Sequence, residues 1–325
     1  MSQSLNLVFC GTPQFAVPTL EKLAASGFTI LLVVTQPDRP KGRGLELVPS
    51  PVKQSALRLG LPITQPDKIK TNDEFRAQLT TLNPDAIVVV GYGRIIPQWM
   101  LDLPPLGNIN LHASLLPKYR GAAPIQWAVA MGDAFTGNTT MLLEEGLDTG
   151  PVLLQQTVEI EPDQTAVDLF DQLAHSGAPL VVETLAGLAA GAIQPQPQNH
   201  SFATFAPLLD REDGRMNFAV RSAHELYNRW RGFQPWPGAF ATLDGKKLIV
   251  RRMAVAAEPS SAESDPAGSV LALPGHLIVE DQRLFVRCAE DTWLELLELQ
   301  LEGKKRLTAA EFLRGASLAA NARLG

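Results

Sequence analysis

The stretch DAIVVVGYGRIIPQWMLDLPPLGNINLHASLLP, residues 85–117, holds two apolar runs, each broken by a turn that carries polar groups. Ala86–Val90 is rich in β-branched residues and stops at Gly91-Tyr-Gly-Arg94; the shorter Gly107–His112 runs into His112-Ala-Ser-Leu-Leu-Pro117. Runs that are apolar throughout, rather than alternating, suit strands buried on both faces, as in a parallel sheet covered by helices. Outward from this stretch the same punctuation repeats. Leu5–Cys10 is an apolar strand ending at Gly11-Thr-Pro, residues 14–26 read as a helix closed by Gly27, and Thr29–Thr35 is another apolar strand. Residues 50–60 and 73–82 read as helices, and a long helix after residue 165 runs to Gly191. Strands alternating with helices predict an α/β domain with a Rossmann-like, mostly parallel sheet over residues 1–191. Ligands bind such sheets beyond the carboxyl ends of the strands. Gly91–Arg94 and His112–Pro117 lie there.

Beyond Gly191 the pattern changes. QPQPQN at residues 194–199 reads as extended chain, and residues 192–207 are expected to form a linker. Residues 208–325 then show a helix at 222–230 and short strands at 239–243, 247–255, 269–273, 276–280, 283–288 and 292–298. Asp244-Gly245 marks a hairpin, and Thr308-Ala-Ala-Glu311 a capping box for a last helix. A small OB-like β-barrel with peripheral helices is expected, with an open sheet as the alternative. Simple strand alternation would point Arg251 and Arg252 to opposite faces.

The bulk properties fit two globular domains. The 325 residues are 45% hydrophobic and 19% charged, and no apolar run reaches the roughly 20 residues that span a bilayer. The amino terminus lacks a basic region followed by a long apolar stretch, so a cytoplasmic protein without membrane contact is expected, and a monomer. Cys10 and Cys288 each follow an apolar run and read as buried small hydrophobes. The net charge is -6, yet the residues from 205 onward hold 16 basic and 16 acidic side chains. A polyanion would therefore meet local clusters rather than a positive field. Candidate clusters are Arg229/Arg231, Lys246/Lys247, Arg251/Arg252 and Lys304–Arg306.

Chemistry concentrates at residues 109–127, INLHASLLPKYRGAAPIQW, and at EEGLDTGPVL, residues 144–153. Positions two apart on a strand share a side, so Asn110 and His112 point together. Acyl transfer to an amine needs a base for the nitrogen's proton, a donor for the oxyanion, and a group that orients the base. Histidine serves the first, an amide N–H the second and a nearby carboxylate the third. His112, Asn110 and Asp148 fill those roles, and the amine itself attacks, so no Ser or Cys nucleophile is required. The five histidines show no HxxxH spacing and the cysteines no CxxC, so no metal is expected. A single Asp-Thr-Gly argues against an aspartic protease, which needs two. The first strand ends in Gly-Thr-Pro-Gln-Phe-Ala rather than a three-glycine turn, which disfavours a dinucleotide oxidoreductase.

Asn-x-His-x-Ser-Leu-Leu-Pro-x-x-Arg-Gly at 110–121, with the later Leu-Asp-Thr-Gly, resembles the signature of 10-formyltetrahydrofolate-dependent formyltransferases. The resemblance implies Asn110, His112 and Asp148 as catalytic residues and Ser114, Leu115, Leu116 and Pro117 as a folate-binding turn. The long connection TQPDRPKGRGLELVPSPVK, residues 35–53, carries Arg39, Lys41 and Arg43. It is similar to the acceptor-stem loop of the family's tRNA-acting members, as are GTPQFAVPTL, GAAPIQ and QPWPGA elsewhere. That likeness implies initiator methionyl-tRNA as the amine acceptor, 10-formyltetrahydrofolate as donor, and a C-terminal barrel that helps hold tRNA. An amino-sugar nucleotide or glycinamide ribonucleotide is the alternative acceptor. A binding module with a relict site is a further one, against which the intact Asn110, His112 and Asp148 speak.

Overall fold

The computed structural model describes residues 4–41, 46–262, 273–315, 318–319 and 321–325. The chain divides into two compact units: Met1–Ile125, Phe135–Ile160 and Asp168–Pro207 form one, and Gln126–Ala134, Glu161–Val167 and Leu208–Gly325 the other. The division departs from a cut at residue 191. Residues 192–207 stay with the first unit, while two short pieces of earlier chain pack into the second. Aromatic and guanidinium packing explains those pieces: Trp127 meets Phe233 edge-on at 5.4 Å, and Arg231 donates to the carbonyls of Glu161 and Gln164.

Up to residue 207 the strands are β1 (Asn6–Gly11), β2 (Thr29–Val34), β3 (Arg39–Lys41), β4 (Glu46–Val48), β5 (Ile63–Thr64), β6 (Ala86–Val90), β7 (Asn108–His112), β8 (Arg120–Gly121), β9 (Phe135–Leu142), β10 (Val152–Glu159) and β11 (Phe205–Ala206). The helices are α1 (Val17–Ala25), α2 (Pro51–Arg58), α3 (Asp73–Leu82), α4 (Gln98–Leu101), α5 (Pro124–Ala130) and α6 (Ala166–Ala189). Ser50 and Asn72 cap α2 and α3 by accepting from the N–H groups of Lys53 and Phe75.

The main sheet has the order β10-β9-β7-β6-β1-β2-β5. Its centre is parallel, with β9 antiparallel to β7 and β10 antiparallel to β9. The four expected apolar strands are β1, β2, β6 and β7, and β6 and β7 are buried along their whole length. Strand β9, FTGNTTML, is interior yet polar, which hid it from a reading of apolar runs. Its polar groups are satisfied against α6: the Thr140 and Thr184 hydroxyls lie 2.8 Å apart, and Asn138 Nδ2 donates to the Leu173 carbonyl at 2.9 Å. Between β1 and β6 the strand order changes direction, opening a crevice beyond their carboxyl ends.

The second unit contains α7 (Ala223–Gly232), β12 (Ala239–Leu243), β13 (Lys246–Ala256), β14 (Leu277–Glu280), β15 (Arg283–Arg287), β16 (Trp293–Leu301), β17 (Leu307–Thr308) and α8 (Ala309–Gly315). Its antiparallel sheet runs β12-β13-β16-β15-β14, with β17 on β16. Every long strand feeds one core, from Ala241 and Leu248 to Leu284, Leu294 and Leu299, roofed by Leu226 of α7 and Phe312 of α8. Residues 322–325 close the sheet. Thr242 and Gly325 exchange two backbone hydrogen bonds, at 2.6 and 3.0 Å, while Leu277 N–H donates to Ala322 and Leu324 N–H to Gly275. The barrel reading thus holds, through a closing segment that the sequence did not mark. Of the strand expected at 269–273, residues 269–272 lie outside the described residues.

Arg251 and Arg252 do not alternate. Register shifts on both sides of Arg252 form a bulge that leaves both side chains exposed. Arg251 donates to Gln300, and Arg252 pairs with Glu298 at 3.1 Å.

Candidate active site at the carboxyl end of the sheet

Strand β7 carries Asn110 and His112 on the side chosen by alternation, opposite Met141 and Thr139 of β9. Both are buried, yet the Asn110 amide has no hydrogen-bond partner among the described residues. His112 is fixed. Its Nε2 lies 2.9 Å from the Tyr119 carbonyl oxygen. A carbonyl only accepts, so Nε2 bears the hydrogen and a neutral ring has its lone pair on Nδ1. Nδ1 faces Asp148, whose Oδ2 is 3.7 Å away, beyond hydrogen-bond length. A proton taken up at Nδ1 would complete the arrangement, with one acceptor before each N–H and a carboxylate beside the cation.

Asp148 is held in the left-handed region, at φ 50. Its Oδ2 accepts from the Gly121 N–H at 2.8 Å. The loop around it is closely packed: a Cβ on Gly150 would sit 1.9 Å from the Leu142 carbonyl oxygen. Gln198 clamps the same loop from the far side, its Nε2 donating to the carbonyls of Asp148 at 2.9 Å and Gly150 at 2.7 Å. Arg120 holds Gln198 in turn, through Nε and a terminal nitrogen at 3.2 and 2.6 Å from Oε1. Neither residue was singled out by sequence reasoning. Arg120 stood inside the quoted motif without a role, and Gln198 was hidden in a Pro/Gln run.

The Ser114–Pro117 turn is braced from β9 and β10. Ser114 is fully buried and its hydroxyl donates to the Lys118 carbonyl at 2.6 Å, so the side chain shapes the turn. Thr139 Oγ1 donates to the Ser114 carbonyl and accepts from the Leu116 N–H, and Gln155 donates to the Leu116 carbonyl. Leu115 and Pro117 are half-buried and Leu116 is buried.

At the crevice between β1 and β6, Thr12 Oγ1 and Gln36 Nε2 both donate to the Tyr92 carbonyl, at 3.2 and 2.8 Å. Gly91 and Gly93 adopt φ 55 and 74, and a Cβ on either would strike Pro13 or Gln36. Pro13 and Gln36 thus pack directly against the backbone of the two glycines. Gln36 also accepts from Arg39 at 2.7 Å, which ties the base of the cationic connection to this packing. Lys53 and Gln65 anchor Asp38 at 2.6 and 2.7 Å; these bonds, Lys53's foremost, hold its carboxyl below the usual range. Arg39 and Lys41 lie on the short strand β3, whereas Arg43 lies outside the described residues.

The cation clusters of the second unit are largely engaged within it. Arg231 is buried, and Arg229 lies over the Phe233 ring at 4.7 Å. Lys247 Nζ stands 3.7 Å above the Phe240 ring, and Arg306 pairs with Glu298.

Two family models match the chain: "Formyl transferase" over residues 5–185 and "Formyl transferase, C-terminal domain" over residues 208–317. The methionyl-tRNA formyltransferase of Acidobacterium capsulatum is 61% identical over 321 residues, covering 99% of this chain and 100% of that protein. The chain belongs to the methionyl-tRNA formyltransferase family. A relative of the same name from Koribacter versatilis is 58% identical, covering 95% of each chain. Among solved structures, the N-formyltransferase from Helicobacter canadensis in complex with folinic acid and dTDP-3-aminofucose superposes with a TM-score of 0.65 at 15% identity, covering 90% of this chain and 98% of that one. At that identity the likeness concerns the fold of the family. Residues 186–207, the segment that carries Gln198, lie between the two matched regions.

Proposed function

We propose that this chain moves the formyl group of 10-formyltetrahydrofolate onto the α-amino group of methionine carried by initiator tRNA, in the cytoplasm. The observation that carries the chemistry is the Asn110 amide, unpartnered among the described residues, beside His112, with Nδ1 of the ring turned to Asp148. The acceptor rests on the full-length likeness to methionyl-tRNA formyltransferases and on the cationic stretch 39–43.

The folate lies beyond the carboxyl ends of β1 and β6, beside Gly11–Pro13 and Gly91–Gly93, with Leu115, Leu116 and Pro117 as an apolar wall. Asn110 donates an N–H to the formyl oxygen as negative charge builds there, a contact stronger in the transition state than in the ground state. The attacking amine gives its proton to His112 Nδ1. The imidazolium then has Tyr119 O before one N–H and Asp148 before the other. As the new N–C bond forms, the bond from the formyl carbon to N10 breaks, and His112 returns the proton to N10. Formyl-methionyl-tRNA and tetrahydrofolate result, and no further reactant is consumed. Arg39, Lys41 and Arg43 meet the phosphates near the acceptor end, contributing sequence-independent attraction.

The deciding experiment incubates the protein with 10-formyltetrahydrofolate and charged initiator tRNA and scores formyl-methionine against uncharged and elongator controls. Formylation of an amino-sugar nucleotide or of glycinamide ribonucleotide, with none of the tRNA, would overturn the acceptor assignment.

A further inference from the structure

Gln198 belongs to a run, QPQPQN, whose composition suggests a passive tether, and it lies in the segment covered by neither family model. Its surroundings say otherwise. The side chain is buried, and its amide reaches two consecutive bends of the Asp148 loop, at the carbonyls of Asp148 and Gly150. Its oxygen is taken by the buried guanidinium of Arg120, which also contacts His200 Nδ1 at 3.1 Å. Main chain on both sides secures the placement. Val152 and Gln196 exchange N–H···O bonds of 2.8 Å in each direction, and β11 pairs in parallel with β8. Gly121, at φ 122, lets that pairing close: a Cβ there would sit 2.7 Å from the Ala206 carbonyl oxygen.

We propose that Gln198 is a positioning residue for formyl transfer, holding the Asp148 carboxylate where it can face His112 Nδ1, with Arg120 as its anchor. The inference rests on the formyl-transfer reading of Asn110, His112 and Asp148. The physical case is that Asp148 sits in the left-handed region, which Asp adopts more readily than most residues but still at a cost, so donors from outside its own loop help to hold it there. The Gly121 N–H fixes the carboxylate end and Gln198 the backbone end. With both in place the carboxylate has one position; without Gln198 the two carbonyls of the loop lose their donors and the loop can relax. Gln198 touches no reacting atom, so its loss should act on the rate of the chemical step rather than on substrate binding.

Gln198→Glu is the informative variant. It keeps oxygen atoms for Arg120 but sets a second oxygen, with no hydrogen to give, against two carbonyls. We expect kcat to fall about tenfold to a hundredfold, the range that small misplacements of catalytic groups produce, with KM for folate and for the amine acceptor changed by less than about twofold. Hydrogen exchange at the Gly121 N–H, which reports the Asp148 carboxylate directly, should quicken in the same variant. Gln194→Ala, an exposed position in the same run, should match the wild type in both readouts. Unchanged kcat and unchanged Gly121 exchange in Gln198→Glu would overturn the proposal. So would a fall in kcat that merely follows a lost folded fraction, judged from the thermal midpoint. If the wild type formylates no amine at all, the formyl-transfer reading fails, and the exchange comparison still decides whether Gln198 holds the Asp148 loop.

Discussion

The orientation of His112 is set by Tyr119, whose carbonyl oxygen stands 2.9 Å from Nε2 and whose backbone is itself in the left-handed region at φ 58. This contact directs Nδ1, and not Nε2, toward Asp148. His112→Asn and His112→Gln both remove the base, and Gln can still offer an N–H toward Tyr119. Both should lose turnover by about a hundredfold or more, because orientation without a base leaves the amine protonated. Single-turnover rates on variants with unchanged circular dichroism test this. A Gln variant close to wild type would remove His112 from the chemistry.

Gly150→Ala probes the packing of the Asp148 loop. The added Cβ would stand 1.9 Å from the Leu142 carbonyl oxygen, so backbone must move. A stability loss of about 1–3 kcal/mol is expected from overpacking, together with reduced turnover. Gly315→Ala, where a Cβ meets nothing within 4 Å, is the matched control in thermal denaturation.

Arg43→Ala should weaken use of charged tRNA while leaving folate KM and turnover with a small amine acceptor unchanged. The salt dependence of tRNA binding should become shallower by about one unit of log–log slope if one phosphate contact is lost. Equal losses with tRNA and with the small amine would make the connection a structural loop.

Burial pushes the Cys288 thiol from its ordinary value near 9 up to about 12, and raises Cys10 further. Neither thiol should alkylate near neutral pH until the protein unfolds. The sign of the pH effect follows: the unfolded thiol ionises near pH 9 while the folded one keeps its proton, so stability falls from about pH 9 toward pH 12. Urea midpoints measured across that window should decline less in Cys288→Ala than in the wild type.

The catalytic half of the fold was legible because its central strands are apolar without interruption, as β6 and β7 are. Strand β9 was not, because it satisfies buried threonines and an asparagine through α6, a pairing that no local pattern announces. The same limit applied to the site. Asn110 and His112 were readable from a two-residue spacing on one strand. Gln198 was not, since its partners Arg120, Asp148 and Gly150 lie 48 to 78 residues away along the chain. In the second unit, the bulge at Arg252 broke the alternation on which the placement of Arg251 had been judged.

The closure of the barrel by residues 322–325 has a consequence for synthesis. Thr242 leaves the ribosome long before Gly325, its backbone partner, exists. Until then the nascent chain presents the outer edge of β12 and the start of β14 as unpaired strands, the kind of edge that other chains can extend. Gly275 is the position on which the late docking depends, because at φ 86 a Cβ would sit 2.4 Å from the Leu324 carbonyl oxygen. A side chain there would leave the newly made domain open-edged for longer, and exposed to aggregation during that interval.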